Sequence, residues 1–140
     1  MKGVHPILSH SALLIIGLVA MGMIVASLSS SFSKTEKNLI RAEAEYIAES
    51  AKGKILQIYS LVNQSDYSEG TFQLDLPEKI GDKKYTLLLS QNMLTLRMPF
   101  ENDYIEVNKK VNINASLSGE KMLPASIAVE KDGAITMELV

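Results

Sequence analysis

The sequence predicts an α+β fold: one long N-terminal helix, hydrophobic then amphipathic, followed by a small antiparallel β-sandwich-like head. Three observations carry that expectation. After Lys2 the next formal charge is Lys34, which leaves 31 consecutive uncharged residues. Apolar residues then recur every three or four positions as far as Val62, and beyond Asp66 the apolar period falls to two. The totals conceal this order, because 140 residues with 46% apolar, 21% charged and 16 acids against 14 bases look like one soluble domain. The near balance of charge argues against a general polyanion-binding role, and no nucleic-acid partner is expected. The lack of cysteine excludes a disulfide framework, a thiolate zinc site and a cysteine nucleophile.

Residues 12–28 read ALLIIGLVAMGMIVASL, where Ser27 carries the only polar side chain. As a helix, residues 7–32 would reach roughly 39 Å at about 1.5 Å per residue, enough to cross a hydrocarbon layer of about 30 Å with some tilt. A helix that is apolar all round belongs in lipid or in the centre of a large protein, and the residues that follow are too few to wrap it. Membrane lipid or a bundle of identical helices is therefore the expected surrounding. A signal peptide cut near Ala26 or the serines at 29–31 is the competing reading, although such peptides have a shorter apolar region of about 7–15 residues. Lys2 on the cytoplasmic side satisfies the positive-inside tendency and would leave the head outside the cell.

The basic start is only Met1-Lys2-Gly3, followed by Val4-His5-Pro6 and the apolar run. This junction resembles the class III signal peptide of archaeal type IV prepilins and related pilin-like proteins, which ends in Lys-Gly or Arg-Gly just before a Val-Ser-Pro-like mature start. The resemblance implies cleavage by a prepilin peptidase between Gly3 and Val4, with Lys2 and Gly3 as the recognition pair and Pro6 as the third mature residue. It further implies a long helix carrying a small β head. His5 departs from the commoner Ser or Thr before the proline. Leu8 stands where bacterial pilins carry a glutamate, which removes any charge pairing with a neighbour's amino terminus.

Helices associate in lipid by close approach, which small residues four apart permit, and Gly22, Ala26 and Ser30 have that spacing. Five serines between 27 and 33 permit a break, and Ser33-Lys34-Thr35-Glu36 has the spacing of a capping box that would start a fresh helix. Beyond it, Ile40, Ala44, Ile47, Ala51, Ile55, Ile58 and Val62 step 4, 3, 4, 4, 3 and 4, an amphipathic stripe rather than a strict coiled-coil seam. The end of the stripe, from Ile55 to Val62, is expected to cover the head's own core. Ile40, Ala44, Ile47 and Ala51 are expected to lack such cover and to pack against other pilin-like subunits. The expected division is a leader at 1–3, a transmembrane or filament-core helix at 4–33, an amphipathic helix at 34–65 and a β head at 66–140.

In the head, residues 71–76 (TFQLDL) alternate and stop at Pro77, and residues 84–90 and 93–98 flank Gln91-Asn92 as a hairpin. Residues 104–107 and 111–117 are expected as strands around an Asn108-Lys109-Lys110 turn. Residues 126–129 and 134–139 bracket Lys131-Asp132-Gly133, a strong turn signal. Six or seven short strands suggest an antiparallel sandwich or a partial barrel.

The chemistry-bearing residues are sparse. His5 and His10 both precede the apolar core, and their spacing does not put them on one helix face, so neither a metal nor another cofactor is expected. No Gly-x-Ser-x-Gly elbow or phosphate-cradling glycine loop occurs, and the head has no histidine for a nucleophilic triad. The carboxylate pairs Glu101/Asp103 and Glu43/Glu45 have a spacing common on solvated surfaces. Asn63-Gln64-Ser65 and Asn114-Ala115-Ser116 match the N-glycosylation acceptor, which makes Asn63 and Asn114 candidates in an external head. The expected function is non-enzymatic: a membrane-held precursor and subunit or minor component of a type IV pilus-like filament, in contact with membrane lipid and prepilin peptidase. The alternative is a single-span anchor holding a β-sandwich binding module outside the cell, or an archaellum stator-like protein.

Overall fold

The computed structural model describes residues 5–66 and 69–140, with side chains from residue 11 onward. Helix α1 spans His5–Gln64 without interruption. The chain divides into two compact units, Met1–Asn38 and Leu39–Val140. No break occurs at the serines. Ser31 Oγ donates to Ser27 O and Thr35 Oγ1 to Ser31 O, both at 3.0 Å, so these hydroxyls bond back to the preceding turn. The expected fresh start at Ser33 is corrected accordingly: the helix never stops there, so no free amide groups await a capping box.

Within the second unit the amphipathic stripe is buried along its whole length. Ala44, Ala48, Ala51 and Ile55 have 0% exposure, and Ile40 and Ile58 have 9%. Small side chains at 44, 48 and 51 are enclosed in the same core as the strands, and Ile47 and Ile55 each contribute about 1.5–3 kcal/mol by leaving water. At the helix end Lys131 Nζ donates to Val62 O at 3.1 Å and Ser65 O at 3.0 Å, which supplies a cation where the carbonyls lack partners.

Among the described residues ten strands follow: β1 (Glu69–Gln73), β2 (Lys79–Ile80), β3 (Lys83–Lys84), β4 (Thr86–Ser90), β5 (Met93–Phe100), β6 (Asp103–Lys110), β7 (Ala115–Ser118), β8 (Glu120–Met122), β9 (Ser126–Asp132) and β10 (Ala134–Leu139). One four-stranded sheet has the order β1-β9-β10-β7 and the other β6-β5-β4-β8, with β2-β3 a separate ribbon. Pairing is antiparallel except for β10 with β7. Gly119 joins the sheets. β8 pairs with β4, and the same register continues across the glycine, where Leu89 N–H donates to Gly119 O at 2.7 Å and Gln91 N–H to Leu117 O at 3.1 Å. The β7–Gly119–β8 segment therefore bonds β10 on one side and β4 on the other, and the strands form one curved run from β1 to β6.

Buried side chains alternate along β5 and β10, which places Leu94, Leu96, Met98, Ile135 and Met137 on the inner face. The expected hairpins at Gln91-Asn92 and Gly133 are present, with left-handed backbone at Gln91 (φ 52°) and Gly133 (φ 75°). The expected turn at Asn108-Lys109-Lys110 is instead the end of β6, and residues 111–114 lie outside the strands. Polar residues on an edge strand mimic a turn in sequence.

Candidate functional site

No charged side chain is buried among the described residues, nor does any cluster of three or more His, Asp or Glu suited to a metal ion occur. The candidate site is therefore a surface, and its largest anomaly is apolar. In the first unit Leu13, Leu14, Ile15, Ile16, Leu18, Val19, Met21, Met23, Ile24, Val25, Leu28 and Phe32 are 53–72% exposed. The helix is long and apolar enough to cross a membrane. Gly17 and Gly22 have open space where a Cβ would stand, and Leu13, Leu14, Leu18 and Met21 rim a shallow groove at Gly17. Gly22, Ala26 and Ser30 all face outward, as close approach by another helix requires.

The other four residues expected to pack against neighbours do not face outward. Ile40, Ala44, Ile47 and Ala51 are buried against this chain's own head, at 9%, 0%, 2% and 0% exposure, and a neighbouring subunit has no access to them. The stripe is one continuous face, and the sheets cover all of it rather than only its end. The large exposed apolar side chains on this part of the helix are Leu39 and Tyr46, at 69% and 76% exposure. Their spacing of seven, two helical turns, was the available signal.

Lys2, Gly3 and Val4 of the leader junction lie outside the described residues, as do the side chains of Pro6, His5 and His10. Asn63 and Asn114 are both exposed, and they line one depression of about 420 Å³ together with Tyr59, Asn92 and Lys131. Glu43, Glu45, Glu101 and Asp103 are exposed. Glu45 forms an ion pair with Arg41 at 3.7 Å along the helix, an ordinary solvated pair.

Among the described residues two titrating groups are perturbed, both for structural reasons. Hydrogen bonds from Lys52 at 3.1 Å and Lys109 at 3.2 Å hold the Glu49 carboxyl below its ordinary value, and the second of these ties β6 to the helix. Burial pushes the Tyr85 phenol upward, and its hydroxyl donates to Pro77 O. Comparison with protein-family models, curated proteins and solved structures finds no match for this chain.

Proposed function

We propose that this chain is a non-enzymatic pilin-like surface protein, held in the membrane by its N-terminal helix and then packed as a subunit or minor component of a type IV pilus-like filament. The observation that carries the reading is the exposed, charge-free surface of residues 11–32. Twelve large apolar side chains left more than half exposed forfeit on the order of 10–20 kcal/mol in water, as much as the whole stability of a typical domain, so something apolar must cover them. Lipid and a bundle of like helices both meet that need, and a chain moving from one to the other needs no change of surface. The Lys2-Gly3/Val4 junction adds the point at which a prepilin peptidase would release it, with the head outside the cell.

Mass spectrometry of the chain isolated from cells tests this directly. A mature N-terminus at Val4 is expected, and one at Met1 or beyond Ala26 would remove the main support. Shearing then separates filament from anchor: the chain is expected to sediment with sheared fibres, and exclusive retention in the membrane would leave only a single-span anchor.

A further inference from the structure

We propose that heads of neighbouring copies join edge to edge, the free edge of β1 in one copy pairing antiparallel with the free edge of β6 in the next and Glu69 lying opposite Lys110. β1 and β6 end the curved run of strands, and among the described residues neither has a strand on its outer side. Along that run β10, β7 and β5 point with β1, whereas β9, β4 and β6 point against it. The two edges of one head thus run in opposite directions. Copies sharing one orientation, as the filament reading on which this proposal rests would supply, therefore present β1 and β6 to each other as an antiparallel pair. Pairing β6 with β6 would require one head to be inverted.

Hydrogen-bond alternation matches on the two edges. Leu74 N–H donates to Ala125 O at 3.1 Å, one step beyond the Gln73↔Ser126 pair, so Glu69, Thr71 and Gln73 turn their N–H and C=O groups away from β9. Val111 N–H donates to Asn92 O at 2.8 Å, one step beyond Met93↔Lys110, so Tyr104, Glu106, Asn108 and Lys110 turn theirs away from β5. Pro99, which has no N–H, sits opposite Tyr104 as that alternation demands. All seven outward-turned residues also have exposed side chains. The joined strands therefore share one exposed face without a flip of pleat.

Charge selects the register. Glu69 lies directly across from Glu130, and both line a depression with Glu138 that no basic residue borders. Like charges in opposite positions are destabilising within a sheet, and a base from the next copy relieves them. Lys110 is exposed at the far end of β6 and, like Glu69, makes no ion pair among the described residues. Setting Lys110 opposite Glu69 brings Asn108 opposite Thr71 and Glu106 opposite Gln73, so every outward site on β1 is used. A slip of two residues in either direction loses the acid–base pair.

The chain contains no cysteine, so disulfide trapping reads one pair at a time. Full-length copies carrying Thr71→Cys are co-expressed with copies carrying Asn108→Cys, each with a different mass tag, and oxidised in membranes and in sheared fibres. Opposed residues of a hydrogen-bonded pair lie about 5.5 Å apart, within disulfide reach. Covalent dimers containing one of each are expected, with either variant alone giving almost none. Absence of the mixed dimer, or equal dimer from Asn108→Cys alone, overturns the proposal. Glu69→Lys or Lys110→Glu is expected to lower the mixed-dimer yield about fivefold, and the two reversals together to restore it; failure to restore overturns the register. Finding Val4 as the N-terminus in a sample that does not trap would sink edge pairing and leave the filament reading standing.

Discussion

A methyl group at position 119 tests the joint on which the head depends. Gly119 has φ +112°, and an added Cβ would lie 2.7 Å from Leu139 N, 2.8 Å from Leu139 O and 2.9 Å from Leu139 Cβ. Those are atoms of β10, mostly backbone, and they cannot rotate away. Backbone strain in a region reserved for glycine costs about 1–3 kcal/mol, and forcing the strands apart about as much again. Gly119→Ala is therefore expected to cost about 4 kcal/mol, or roughly 20 °C in the melting temperature of a domain this size. Gly133→Ala is the control. That glycine also has a positive φ, +75°, but open space where the Cβ would go, so only the strain of about 1 kcal/mol applies. Thermal unfolding of the full-length chain in detergent, followed by near-ultraviolet circular dichroism of the tyrosines, measures both. A Gly119→Ala melt within about 5 °C of the parent, or a Gly133→Ala melt equally depressed, would show that Gly119 is not a steric joint.

Three further substitutions probe how the helix and strands are tied. Lys131→Met keeps the aliphatic stem but removes both donors to Val62 O and Ser65 O, with an expected loss of about 1–2 kcal/mol and faster amide exchange in the last helical turn; exchange unchanged there refutes the cap. Glu49 has a folded pKa depressed below 4.5, so its stabilisation is present above that value and is lost as pH falls through the folded one. Glu49→Gln should accordingly flatten the acid limb of the melting profile at low salt, and a parent-like slope would count against the Lys52 and Lys109 bonds. For Tyr85 the shift is upward, so stability is full below pH about 10 and falls as pH rises further. Tyr85→Phe should cost about 1–2 kcal/mol at neutral pH and reduce that alkaline fall, as denaturant titration at pH 7 and pH 11 would show.

Much of the fold follows from two periodicities. Residues 84–98 alternate around Gln91-Asn92 because the hairpin buries one face, and the stripe from Ile40 to Val62 is helical because one face meets the sheets. What the periods hide is anything determined by a neighbour in space. Asn108-Lys109-Lys110 has turn-like composition, yet it extends β6 because an edge strand exposes its outer side chains and Lys109 reaches Glu49. The parallel pairing of β10 with β7 depends on residues far apart in sequence, and Ser118-Gly119 signals a bend without saying that two sheets meet there. The serines near 31 suggested a cap because a hydroxyl bonds as readily to the previous turn as to the next. Of the candidate surface, the apolar extent was legible from charge alone, whereas the matched edges of β1 and β6 emerge only from pairing parity.

Two series of small residues on one helix illustrate the difference. Gly22, Ala26 and Ser30 and, further on, Ala44, Ala48 and Ala51 have similar spacings, and size alone assigns both to contacts with another helix. Their flanks decide otherwise. Glu43, Glu45 and Glu49 border the second series and must stay hydrated, so its partner has to cover one narrow stripe and leave the adjoining charges in water. The strands of the head do that, sealing the alanines at 0% exposure while Glu43 and Glu45 remain exposed. No charge borders Gly22 or Ala26, and the first one met is Lys34, one turn beyond Ser30, so a partner over those two residues meets no charge on any side. The change at Lys34 thus separates small residues that serve folding from small residues left exposed.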